Sequence, residues 1–151
     1  MMSIDYITKY REMMLNIGEL IANTKKPKTI DGKIPQHNEI IESDIDSKDG
    51  LCVFCGKTSN NLMIIDLDNP ELIKHFEQYK NRTMIVKSGK KGFHIYFRTY
   101  ENPKSRSLTN DKGQHIDILG QGKIAVLPPS IHIDTKKPYE IISDKPIKQL
   151  T

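Results

Sequence analysis

Leu62-Met63-Ile64-Ile65-Asp66-Leu67-Asp68 decides how this chain reads. The apolar run has the make-up of a buried strand, and it ends in two acids placed two residues apart. Side chains alternate faces along a strand, so Asp66 and Asp68 share one face. Two like charges about 4 Å apart repel by roughly 4 kcal/mol at an effective dielectric of 20. Protonation of one carboxylate, or a cation between them, relieves that repulsion. A divalent metal is the usual partner of an all-oxygen donor set. The first expectation is therefore a metal site at a strand end.

Working outward, Leu51–Cys55 reads as a short strand closed by Gly56, and Thr58-Ser59-Asn60-Asn61 as a turn. Asn69-Pro70-Glu71 has the order of a helix start: cap, proline, acid. The helix is expected to run to about Lys80, with Leu72, Ile73, Phe76 and Tyr79 facing inward. Thr83–Lys87 reads as a strand, Ser88-Gly89-Lys90-Lys91-Gly92 as a basic glycine turn, and Phe93–Arg98 as a cleanly alternating strand. Residues 99–114 are polar and read as a mobile loop. His115–Leu119 and Ile124–Leu127 read as strands around Gly120-Gln121-Gly122. Ser130–Ile133 and Tyr139–Ile142 read as a final hairpin. At the other end, Ile7, Tyr10, Met14, Ile17 and Ile21 fall three and four apart, which predicts a helix over 3–22 capped by Ser3. Asn23 to Gln36 reads as a Lys/Pro-rich loop, and 37–50 as acidic with a short helix or turn.

The expected class is α/β in the α+β sense: a mixed, largely antiparallel sheet with flanking helices. With 151 residues the chain suffices for one domain, a segment 1–49 leading into a core over 50–142. A net charge of +4 leans toward a polyanionic partner. Nothing approaches an apolar run of about 18 residues, so no membrane span is expected. Asp5 and Glu12 interrupt any signal-like stretch, and the chain reads as cytoplasmic. Its two cysteines, Cys52 and Cys55, sit on one expected strand, where buried apolar thiols are the better reading and half a zinc site the other.

Three strands deliver polar groups at alternate positions. Asp66 and Asp68 share a face on the first; His94, Tyr96 and Arg98 on the second; His115 and Asp117 on the third. An Asp inside Ile116-Asp117-Ile118 is costly to bury alone, and becomes reasonable if it joins the same site. Three carboxylates holding two hard cations, Mg²⁺ or Mn²⁺, suit in-line phosphoryl displacement. Lys87, Ser88, Lys90 and Lys91 surround two glycines, and His94 lies just beyond, a set suited to a phosphate chain. Tyr96 and Arg98 either pack over a base or face solvent. His115 and His132 carry no assigned role.

In order and spacing, these residues resemble the primase–polymerase domain of the archaeo-eukaryotic primase superfamily, in its mobile-element, plasmid and phage replication branch. Asp66-Leu67-Asp68 resembles the first motif, Ser88 to His94 with its glycine turn the second, and Ile116-Asp117 the third. Ala125-Val126-Leu127-Pro128-Pro129-Ser130-Ile131-His132 resembles the Pro-Pro-Ser segment of that branch. The likeness covers about Gly50 to Ile142 and is loose before it. It implies a sheet of primase–polymerase type and template-directed nucleotidyl transfer. Asp66, Asp68 and Asp117 would be catalytic and hold two Mg²⁺ or Mn²⁺. Lys87, Ser88, Lys91, Gly92, His94 and Ser130 would bind the nucleotide triphosphate. Relatives often carry a basic residue two positions after the third-motif Asp; Leu119 stands there, and Lys123 is the candidate to supply that charge. The implied partners are single-stranded DNA template and primer, NTP or dNTP, and a helicase domain or subunit. The chain then reads as a minimal enzyme or as a domain cut from a longer replication protein.

Two other classes compete. A metal-dependent nuclease or rolling-circle initiator also uses acids and His, but the paired His-x-His of that initiator class is replaced by His94-Ile95-Tyr96. A non-catalytic nucleic-acid-binding sheet would use Phe93, Tyr96 and Phe97 for stacking and leave three convergent acids unexplained.

Overall fold

The computed structural model describes residues 5–29 and 45–150. Numbered in chain order, the elements are helix α1 (Tyr6–Glu12) and ten strands: β1 (Ile17–Glu19), β2 (Leu51–Phe54), β3 (Leu62–Leu67), β4 (Ile85–Lys87), β5 (Phe93–Arg98), β6 (Arg106–Thr109), β7 (His115–Leu119), β8 (Ile124–Leu127), β9 (Glu140–Ser143) and β10 (Lys148–Gln149). Short 3₁₀ helices span Lys57–Ser59 and Pro70–Tyr79. β1-β2-β8 form a small antiparallel sheet. The large sheet runs β6-β7-β3-β5-β4-β9, antiparallel throughout, with β10 added in parallel beside the end of β5. The mixed, largely antiparallel α+β class is therefore the observed one.

Alternation along the large sheet divides its residues between two cores. Leu67, Ile85, Ile95 and Phe97 bury one face against the Pro70–Tyr79 helix. Leu62, Ile64, Val86 and Tyr96 bury the other against the small sheet and α1. Both faces being covered, each such side chain contributes about 1.5–3 kcal/mol of burial. The second face is covered only part way. Along β3 it passes from buried Leu62 and Ile64 to Asp66, and along β7 from Leu119 to Asp117. Charged groups appear where the covering sheet ends.

The N-terminal helix is shorter than its spacing predicts. Asp5, not Ser3, caps it, accepting from Thr8 N at 3.1 Å. It ends at Met14, whose φ of 63° is left-handed and whose side chain is exposed. The chain then extends as β1, because Gly18 lets the strand lie on Phe54: a Cβ there would sit 2.8 Å from Phe54 Cζ. Glycine also disfavours a helix interior by about 1 kcal/mol.

Pro70–Tyr79 is wound as a 3₁₀ helix rather than an α-helix. Ile73, Phe76 and Tyr79 are spaced by three, so at three residues per turn they stack into one ridge. That ridge packs on the sheet, with Tyr79 edge-on to Phe97 at 4.9 Å.

Residues 99–114 are not all loop: Arg106–Thr109 pairs with β7 as the edge strand. β7 and β8 flank the Gly120–Gly122 turn yet belong to different sheets. Nor do Ser130–Ile133 and Tyr139–Ile142 form a hairpin. They share one bridge, Ile131 to Pro138, and β9 pairs with β4 instead. The Ser3 cap, the packing of Ile30, Ile34 and Pro35, and the expected turn around Ile40 and Ile41 lie outside the described residues. Among the described residues no helix is long and apolar enough to cross a membrane.

Candidate active site

Register assembles the site. Asp66 on β3 stands directly opposite Asp117 on β7 and directly opposite His94 on β5. Opposed residues of antiparallel strands point to the same side, with Cβ atoms roughly 4.5–5.5 Å apart. Asp117, Asp66 and His94 therefore form one row across three strands. Ser107 on β6 extends the row and donates its hydroxyl to Asp117 Oδ1 at 2.6 Å. His94 Nε2 lies 3.3 Å from Asp66 Oδ1. Asp68, just past the end of β3, continues the same face. Burial first, then the charges of Asp66 and Asp117, push its carboxyl above the usual range, with His94 and His115 acting the other way. His115 is tied to Thr109 Oγ1 through Nδ1 at 2.9 Å.

The donor chemistry fits a hard divalent cation: oxygen ligands from adjacent strands, in mutual repulsion that a cation would cancel. The carboxylates do not stand as a finished cage. Among the described residues no three His, Cys, Asp or Glu side chains are already grouped to hold one ion. Asp66 leans toward His94, and Asp117 toward Ser107.

Asp66, Asp68 and His94 open onto a cleft of about 540 Å³ that Ser88, Lys90, Lys91, Gly92, His132, Tyr139 and Lys25 also line. The basic glycine turn is built to stay closed. Ser88 Oγ accepts from Gly92 N at 3.0 Å and Lys90 N at 3.3 Å. Those two amides serve the turn itself, so a phosphate here would meet the ammonium groups of Lys90 and Lys91 first. Gly89 seats the turn on the segment 132–137: a Cβ there would overlap the Lys137 carbonyl oxygen, and Thr135 Oγ1 donates to Gly89 O at 2.7 Å.

Other candidates are placed elsewhere. Lys87 pairs with Phe93, so it takes the face opposite His94 and does not line the cleft. Lys123 is exposed and also outside the cleft lining. Ser130 is buried and spends its hydroxyl on β2, accepting from Leu51 N at 2.8 Å and donating to Leu51 O at 3.1 Å. Tyr96 is fully buried in the core between the sheets, and Arg98 donates to Met13 O at 2.5 Å, so neither faces the cleft. Leu119 lines the cleft floor with Ile124 and Ala125. Cys52 and Cys55 are buried free thiols; burial pushes Cys52 up to about 12, and Cys55 up as well.

Lys25 and His132 were not flagged by sequence patterning. Lys25 lies in a polar loop, and His132 sits past a Pro-Pro-Ser segment with no alternation to orient it. In the fold His132 is buried and stacked on Tyr139 at 5.8 Å, and its Nε2 lies 3.2 Å from Lys25 Nζ.

Comparison with known protein families returns one match. The sequence model described as bifunctional DNA primase/polymerase, N-terminal, covers residues 20–151. The chain belongs to that family. No curated protein matches it.

Proposed function

We propose that this member of the primase/polymerase family carries out template-directed nucleotidyl transfer, with Asp66, Asp68 and Asp117 as the residues that hold two Mg²⁺ or Mn²⁺ ions. The observation that supports this most is the cross-strand row Asp117–Asp66–His94, at the mouth of a cleft whose lining carries Lys90, Lys91 and Ser88. When bound, the divalent ions would supply Lewis-acid activation of the attacking hydroxyl and neutralise charge on the phosphoryl group. The protein's own part is positional and electrostatic. Three adjacent strands fix the carboxylates on one face. Lys90 and Lys91 place positive charge where a triphosphate's negative charge lies. His94 is buried against Asp66, and among the described residues its Nδ1 has no partner, which leaves that atom for a nucleotide oxygen or its bound water.

In this reading the substrates are a nucleoside triphosphate and a 3′ hydroxyl, or a first nucleotide, on a single-stranded DNA template, with pyrophosphate as the leaving group. The net charge of +4 gives template binding that weakens with salt. A helicase domain or subunit is the natural partner for exposing such a template, in the cytoplasm. Incubation with primed and unprimed single-stranded templates, Mg²⁺ or Mn²⁺ and labelled nucleotides tests the proposal. Extended or newly primed strands are expected. Shortened template strands without incorporation would instead establish the nuclease alternative.

A further inference from the structure

The contact between Lys25 and His132 is incomplete as it stands, and its chemistry says what completes it. His132 Nδ1 faces two backbone amides, Asp134 N at 3.2 Å and Thr135 N at 3.5 Å. Those N–H groups can only donate, so Nδ1 must be the lone-pair nitrogen. In a neutral imidazole the proton is then on Nε2. Burial, and then the Lys25 ammonium, push His132 below its ordinary range, which keeps the ring neutral. Nε2 is the atom 3.2 Å from Lys25 Nζ. Two donors therefore face each other, and neither can accept from the other. An oxyanion set between them would take a hydrogen bond from each.

The position of this pair in the cleft identifies the oxyanion. Tyr139 lies between His132 and His94, with ring centroids 5.8 Å and 6.3 Å away respectively. The Lys25–His132 pair thus stands one aromatic ring beyond the His94–Asp66 pair. Lys90 and Lys91 line the same cleft. A phosphate chain whose first phosphorus lies at the acids reaches the pair with its last phosphate, and a shorter chain stops before it. We propose that Lys25 and His132 clamp the terminal phosphate of the incoming nucleotide, so that the cleft selects triphosphates over diphosphates. The inference rests on the polymerase reading above. It adds a residue from the N-terminal segment and one from beyond the Pro-Pro-Ser segment to the substrate site.

Calorimetric binding of dATP, dADP and dAMP with Mn²⁺ tests it, on the wild type, on Lys25→Met and on His132→Asn. Lys25 is exposed, so its variant leaves the fold in place; Asn at 132 keeps an acceptor near the two amides while removing the Nε2 donor. The wild type is expected to prefer dATP to dADP by about tenfold or more. Each variant should lose most of that preference by weakening dATP alone, with dAMP binding unchanged. A variant that weakens all three nucleotides equally, or none, overturns the clamp and leaves the polymerase reading standing. A wild type that binds none of the three overturns both.

Discussion

Asp68→Asn gives the sharpest test of the electrostatics. In the metal-free protein the Asp68 carboxyl is raised by burial and by the charges of Asp66 and Asp117. Its ionised form is therefore less welcome in the folded state than in the unfolded chain. The sign follows directly. A carboxyl with a raised folded pKa costs nothing at low pH, where it is protonated in both states. Stability is lost as pH rises from the ordinary carboxylate range through the raised value. At neutral pH the loss is complete, and Asn removes it. Asp68 is exposed, and His94 and His115 offset part of the repulsion, so the effect is modest. Like charges facing each other across strands cost about 0.2–1 kcal/mol. For a chain of this size that is a melting temperature higher by about 1–4 °C. Mn²⁺ reverses the order. A ligand at 100 times its dissociation constant stabilises the folded state by about 2.7 kcal/mol, and the variant has lost one of three carboxylates for it. Thermal melts with chelator at pH 7 and at pH 4, then with Mn²⁺ at pH 7, read all three conditions. The variant should melt higher than wild type in chelator at pH 7, equal to it at pH 4, and lower in Mn²⁺. A variant that melts lower than wild type in chelator at pH 7 and gains as much from Mn²⁺ refutes the reasoning.

Three further outcomes follow from the placement of other groups. His94→Ala should weaken nucleotide binding more than template binding, measured by calorimetry and by fluorescence anisotropy of a labelled strand; equal losses contradict its place beside the phosphates. Ser130→Ala should cost about 1–3 kcal/mol in a urea melt, because it strands buried backbone groups of Leu51, and should leave nucleotide affinity unchanged. Selective loss of affinity at unchanged stability would restore Ser130 to the substrate site. Cys52 and Cys55 should resist a thiol reagent in the native protein and react once it is unfolded, since burial keeps both thiols protonated; fast native-state labelling counts against the buried placement.

How much of this was legible in the sequence depended on how each segment meets the core. β3, β5 and β7 alternate, so their faces, and the common side of Asp66, His94 and Asp117, could be read from period two alone. The join between Asp66 and its neighbours is a matter of register, which alternation constrains but does not give. Residues 6–21 misled because period-four spacing of Tyr10, Met14 and Ile17 is compatible with a helix, whereas Gly18 against Phe54 is a contact between distant segments. β6 was invisible because Arg106-Ser107-Leu108-Thr109 is an exposed edge with no apolar alternation. Yet that strand carries Ser107, which orients Asp117. Lys87 and Lys123 were chosen for charge near a motif, and the fold turns both away from the cleft. Lys25 and His132 were missed because their meeting depends on tertiary structure, 107 residues apart in the chain.

The joint action of acids from three separate strand ends is what the account stands on, and Asp117→Asn probes it from the strand most distant in sequence. The measurement is the rate of labelled-nucleotide incorporation on a primed single-stranded template in saturating Mn²⁺, for the wild type and for a variant with matching circular dichroism. The account predicts extension by the wild type and a loss of about a hundredfold or more in the variant. Extension by the variant at the wild-type rate contradicts it.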